Sequence, residues 1–238
     1  MICLKSVSKS YGKNKAVQDI SFEIQDTEVV GLLGPNGAGK TTTINMIAGY
    51  IATTDGTILI NNIDIAKEPL KAKKQIGYMP ENVPLYNELT VKEFLIFMAE
   101  LNKVPKQEIP ERIEKVLKEI KIEDVEKKII KTLSKGYKQR VSLAGTLISN
   151  PKIIILDEPM SGLDPKQIAQ MREVIKSLKK EHIVIMSSHI LAEISQMCDK
   201  VIIIDKGKIL KILDPKQIKG SLEKEYLKIV SEKEKDEQ

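Results

Sequence analysis

Apolar side chains alternate with polar ones at Val17, Ile20, Phe22 and Ile24, and then run almost unbroken from Glu28 to Leu33 before stopping at a glycine. The first pattern has the period of a half-buried strand and the second that of a buried one, so a short strand is predicted to feed a glycine-rich turn. Lys40 to Tyr50 reads as the helix behind that turn, and GTILINNIDI from Gly56 as a further strand with its own turn. An antiparallel β portion is thus expected beside a strand–turn–helix unit.

Between about Thr90 and Thr132 the period becomes helical. Thr90 stands three residues before Glu93, the spacing of a capping box, and Val91, Phe94, Leu95, Met98 and Leu101 mark one apolar face. Ile113, Val116, Leu117 and Ile120 mark a second helix, with KVPKQEIPER as a prolyl linker between the two. Strand character returns from Lys152. A helix follows from Pro165 with Asp164 as its cap, then a strand HIVIMSS, a short helix, a strand VIIID and a hairpin around Lys206 and Gly207. Such alternation predicts an α/β fold: a mainly parallel sheet with helices on both faces, an antiparallel β subdomain, and a helical insert at about 88–148. The core is expected over 1–220 with a charged tail over 221–238, whose closing segment EKEKDEQ is expected to be disordered.

Composition narrows the classes. With 238 residues and 42% apolar content the chain is long enough for a normal buried core. Cys3 and Cys198 stand far apart without ligand-like spacing, which suggests neither a disulfide framework nor a zinc site and fits a reducing compartment. No run approaches the roughly 18 apolar residues that cross a bilayer, and the N-terminus does not read as a secretory signal. The net charge of +5 comes from 38 basic and 33 acidic residues, and arginine occurs only at 112, 140 and 172. That excess is too small and too dispersed to predict nucleic acid as a partner.

Candidate chemistry is concentrated in two segments. Gly34, Pro35, Asn36, Gly37, Ala38, Gly39, Lys40 and Thr41 spell GPNGAGKT, followed by Thr42, and satisfy the phosphate-loop pattern. Glycines at that spacing let backbone amides point at phosphate oxygens, Lys40 adds a point charge, and the Thr41 hydroxyl can face magnesium. IIILDE, from Ile153 to Glu158, is an apolar strand ending in two acids whose side chains point apart. Asp157 suits a magnesium shell, and Glu158 suits polarising a water.

With these motifs the chain resembles the ABC ATPase family over nearly its whole length. LSKGYKQR, from Leu133 to Arg140, is similar to that family's signature, with Ser134 lying 94 residues after Lys40 and just before the acidic strand. The resemblance implies that Ser134 and Gly136 complete the ATP site of a partner subunit, an anion held at a helix start, while Ser134 can equally cap its own helix. SGLD, from Ser161 to Asp164, resembles the dimer-contact loop, although Asp164 before Pro165 is also a good cap. His189 in SSHIL matches the switch histidine, and Tyr11 the aromatic that stacks on adenine, a core role for Tyr11 being the alternative. His182 matches nothing.

Two departures mark a branch. Glu81 stands where the family has glutamine, and Lys135 and Tyr137 stand where glycine and glutamine are commoner. A carboxylate at Glu81 can ligate magnesium but repels phosphate. Both variants occur together in export-type members. The resemblance therefore implies an ATP hydrolase using ATP and Mg2+, peripheral on the cytoplasmic face of the membrane. It would power a separate transmembrane permease as a homodimer or heterodimer with a second ATPase subunit. The rival is a non-transport ABC ATPase acting on ribosomes or nucleic acid.

Overall fold

The computed structural model describes residues 1–25, 27–82, 84–218 and 221–236. The chain opens with a long antiparallel pair, β1 (Ile2–Tyr11) and β2 (Asn14–Ile24). The alternation anticipated for β2 has a partner in β1 that the sequence hides. Its register is broken by shifts beside Ser6, and a second irregularity accompanies Asp19; both residues take left-handed backbone near φ 47° and 48°. Next come β3 (Val29–Leu33), every residue of which is buried, and α1 (Lys40–Ile47), shorter than the expected helix to Tyr50. β4 (Asp55–Ile60), β5 (Ile63–Asp64), α2 (Pro69–Lys73) and β6 (Ile76–Met79) follow.

The insert is a packed trio. In α3 (Val91–Leu101) the Thr90 hydroxyl accepts from the Glu93 amide while the Glu93 carboxylate accepts from the Thr90 amide, so the predicted capping box is formed. α4 (Ile109–Ile120) starts inside the stretch read as linker, because Pro110 sits in its first turn, where its missing N–H costs nothing. α5 (Lys135–Leu147) runs beneath both and buries nine of its thirteen residues.

The second half delivers β7 (Ile153–Leu156), α6 (Pro165–Leu178), β8 (Ile183–Ser188), α7 (Leu191–Met197), β9 (Lys200–Asp205) and β10 (Lys208–Leu213). The segment EKEKDEQ does not match its expected disorder as far as Asp236, the last described residue, because the helix of the tail continues through it. α8 (Leu222–Asp236) is helical, and Leu222 and Ile229 are buried against the main core. Residue 220, where the core was expected to end, and the last two residues of the tail lie outside the described residues.

β6, β7, β8, β3 and β9 pair in parallel in that order, with β10 added antiparallel at the β9 edge, while β2, β1, β4 and β5 form a separate antiparallel sheet. Successive residues of the parallel strands feed opposite faces. Val30, Leu32, Ile153, Ile155, Ile183 and Ile185 pack with α1 and the antiparallel sheet. Val29, Leu33, Ile154, Leu156, Val184 and Met186 pack towards the insert and towards α6, α7 and α8. Helices cover one face as expected; on the other, α1 shares the work with the second sheet. The carboxyl ends of β3, β7 and β8 therefore meet at one rim, where ligands of open α/β sheets bind.

Candidate functional site

At that rim lies a cleft of about 730 Å³, lined by Tyr11, Asn36, Gly37, Gly39, Lys40, Thr41, Thr42, Glu81, Glu158 and His189, together with Asn14, Lys15, Ala16, Gln18 and Lys206. β3 delivers the chain to the loop 34–39, which turns into α1. Gly39 adopts φ 104° at the helix start, and a Cβ there would stand 2.6 Å from the Ala16 carbonyl oxygen; Gly34 approaches the Ile204 carbonyl so closely that a Cβ would lie 2.0 Å from it. The loop therefore needs glycine at both places for steric reasons, apart from any ligand.

Lys40 is largely buried. Its ammonium donates to the carbonyls of Gly34 at 2.8 Å and Pro35 at 3.2 Å and lies 3.8 Å from Glu158 Oε1. Gly34 and Pro35 thus act through their carbonyls, and Ala38 is buried against the core; none of these three lines the cleft. The Thr41 hydroxyl donates to Asp157 Oδ1 at 3.3 Å. Asp157 is buried below the cleft floor, while Glu158 turns up into it and meets His189 Nδ1 at 3.1 Å through Oε2. The two acids diverge as a strand end requires, helped by the left-handed backbone of Glu158 at φ 48°.

Thr41 and Asp157 offer a hydroxyl and a carboxylate, with Glu81 on the same cleft, a set of hard oxygen donors. Among the described residues no cluster of three or more His, Cys, Asp or Glu side chains could cage an ion. Few protein oxygens suit magnesium, which keeps waters and takes further ligands from phosphates.

Tyr11 is half exposed at the cleft wall, with the Lys9 ammonium over its ring at 5.2 Å from the centroid, so it is not a core residue. Ser134, Gly136 and Asp164 lie elsewhere, on a second patch. Ser134 caps α5 through the Tyr137 amide at a long 3.5 Å. Asp164 caps α6 through the Gln167 amide at 2.9 Å, and Gly136 packs so close to the Gln167 side chain that a Cβ would meet it at 2.7 Å. Both capping expectations hold, and the signature and SGLD segments form one surface. His182 is buried and bonded to the Pro151 carbonyl.

The sequence reading missed the two serines that end β8. Ser187 donates to Asp157 Oδ1 at 2.6 Å and accepts from the Glu158 amide at 2.9 Å. Ser188 donates to Glu193 Oε2 at 2.7 Å and accepts from the Ile190 amide at 3.0 Å, fastening the turn that carries His189. Burial holds the Glu193 carboxyl above its ordinary range, with the Glu158 charge adding to burial and the Ser188 bond opposing it.

Residues 17–161 match the family profile for ABC transporters. The lipopolysaccharide export system ATP-binding protein LptB of Haemophilus influenzae is 34% identical over 222 residues, covering 92% of each chain. A solved structure of cbiO1 from Clostridium perfringens, part of the ABC transporter complex cbiONQ, superposes with a TM-score of 0.83 at 31% identity, covering 91% of this chain and 89% of that one. A dimeric ATP-binding cassette bound to ADP and Pi superposes with a TM-score of 0.80 at 26% identity, covering 92% of this chain and all of that one.

Proposed function

The chain belongs to the ABC transporter family as an ATP-binding, ATP-hydrolysing subunit, and from that premise we propose that it is the motor of an exporter, driving a separate membrane permease through ATP-dependent pairing with a second ATPase subunit. The observation that carries the catalytic part is the convergence of Lys40, Glu158 and His189 on one cleft above Thr41 and Asp157.

The amides of the loop 36–42 and the Lys40 ammonium hold the outer phosphates of ATP, and the ring of Tyr11 takes the adenine by stacking. Glu158, reaching into the cleft with His189 bonded to it, orients the attacking water and accepts its proton. Thr41 and Asp157, with Glu81 alongside, would hold Mg2+, which neutralises charge on the phosphates. Ser134, Gly136 and Asp164 are displaced from the cleft of their own chain, as a site completed by a partner requires. The dimeric state of the cassette bound to ADP and Pi agrees with that division.

For the permease, the face between α2, β6, α3 and α5 offers a groove of about 380 Å³ lined by Tyr50, Tyr78, Met98, Leu101 and Thr146. Tyr50 is 70% and Leu101 64% exposed, more apolar surface than a solvated wall needs. No helix among the described residues is long and apolar enough to cross a membrane; in this reading the membrane partner is a separate permease, which holds the chain at the cytoplasmic face. Export is favoured by the likeness to a lipopolysaccharide export subunit and by Glu81 with the LSKGY signature.

The test is to copurify the chain from its native membranes and measure magnesium-dependent ATP turnover, with Glu158→Gln as control. A multi-spanning partner, with turnover reduced at least on the order of a hundredfold by the substitution, is the expected result. Recovery with ribosomes or nucleic acid and no membrane partner would overturn the transport reading.

A further inference from the structure

We propose that Ser187 is a positioning residue for the hydrolytic reaction: its hydroxyl holds Glu158 in the backbone conformation that carries the carboxylate to Lys40 and His189. The inference rests on the reading of Glu158 as the group that activates water.

The register of the sheet puts the parts in place. β7 and β8 run parallel with Leu156 opposite Met186, so the next step along each strand sets Asp157 beside Ser187. Ser187 is fully buried and makes two hydrogen bonds, to Asp157 Oδ1 at 2.6 Å and from the Glu158 amide at 2.9 Å. A hydroxyl has one proton. Because the Glu158 N–H is necessarily a donor, Ser187 spends its proton on Asp157 and has only a lone pair for Glu158, so the direction of the relay is fixed. Asp157 Oδ1 also accepts from Thr41 at 3.3 Å, which ties the serine to the loop side of the cleft.

Glu158 is the place where this tether has work to do. Its φ of 48° lies in the left-handed region, which side-chain-bearing residues adopt at a cost. Such a conformation persists only where the surroundings over-determine it. The amide bond to Ser187 is one fixed end. The Glu158 carboxylate, with Oε1 3.8 Å from Lys40 Nζ and Oε2 3.1 Å from His189 Nδ1, is the other. Without the hydroxyl the Glu158 amide loses its buried acceptor, the backbone can relax towards negative φ, and the carboxylate leaves the line between the cation and the imidazole. Ser187 is fully buried and does not line the cleft, so affinity for nucleotide should survive while the chemical step suffers.

The full chain, recovered from its native membranes, is assayed for ATP turnover as wild type, Ser187→Ala, Ser187→Thr, Glu158→Gln and the Ser187→Ala/Glu158→Gln double variant, with thermal melting of each. Expected for Ser187→Ala is a fall in kcat on the order of tenfold to a hundredfold, with KM and nucleotide affinity within about threefold of wild type. Ser187→Thr, which keeps the hydroxyl, should retain most of the turnover. In the Glu158→Gln background the alanine should lower the residual rate by less than about twofold, since a residue that acts through Glu158 has nothing left to position. Three results would overturn the proposal: an unchanged kcat for Ser187→Ala, a loss in Ser187→Thr with unaltered melting, or a full multiplicative loss in the double variant. Undiminished turnover in Glu158→Gln alone would instead remove the reading of Glu158 itself, and the inference with it.

Discussion

Glu193 shows how much the site depends on residues that never reach the cleft. Its carboxylate accepts from Ser188, yet its other oxygen, Oε1, is buried without a hydrogen-bond partner, as is Arg172 Nε. Burial raises its pKa first of all, Glu158 raises it further, and Ser188, His189 and Arg172 pull it back without cancelling the shift. A carboxyl raised in the folded state contributes stability that is complete below its unfolded value of 4.5 and is lost as pH rises through the folded value. Glu193→Gln keeps an acceptor for Ser188 and never ionises. The variant should therefore melt higher than wild type at about pH 8, with the gap closing only as pH falls to the unfolded value of 4.5 and below. Melting curves at a series of pH values check this, and parallel curves would mean that Glu193 carries no charge penalty. Neither Glu193 nor Ser187 was legible in the sequence as part of the site. A serine or glutamate becomes a site residue only when strand register and the α7 turn bring it to a partner, whereas GPNGAGKT announces its loop by composition alone.

Elements were legible wherever a local signal coincided with burial. Thr90 with Glu93 and Asp164 with Gln167 form the reciprocal caps that their spacing offers, and IIIL is buried at every position of β7. Several elements escaped, α2 and β6 among them, and two show why. β1 is interrupted by register shifts, and the charged residues of α8 mask an apolar stripe at Leu222, Tyr226 and Ile229, spaced for one helical face. That stripe sets the energetic weight of the tail. Leu222→Ala and Ile229→Ala should each cost about 2–4 kcal/mol, since both empty space in a packed core. For a chain of this size that corresponds to a fall in Tm of roughly 5–15 °C. Lys211 and Glu225 pair on the exposed side of the same contact, and Lys211→Ala should cost less than about 1 kcal/mol. Differential scanning calorimetry separates the two cases; equal small effects would mean that α8 only rests on the surface.

At the scale of the whole molecule the two surfaces are separated within one chain, the nucleotide cleft at the rim of the parallel sheet and the Ser134, Gly136 and Asp164 patch at the starts of α5 and α6. A two-fold pairing in which each patch closes the other's cleft makes both sites composite, and this can be tested by mixing. Lys40→Ala disables the loop of its own chain. Ser134→Asp is chosen because aspartate caps a helix as well as serine does, leaving α5 stable while placing a negative charge where the partner's phosphate would approach. Each variant alone has two defective sites and should be silent. In a mixed dimer both defects fall in one site, and the other combines an intact Lys40 with an intact Ser134. An equal mixture should then recover about a quarter of wild-type turnover, since half of the dimers are mixed and each has one working site. The melting temperature of Ser134→Asp, unchanged from wild type, would confirm that the loss comes from charge and not from unfolding. A mixture as silent as its parents, with mixed dimers verified by differential tags, would contradict working sites shared in this way. Ser134 would then be left as a helix cap and nothing more.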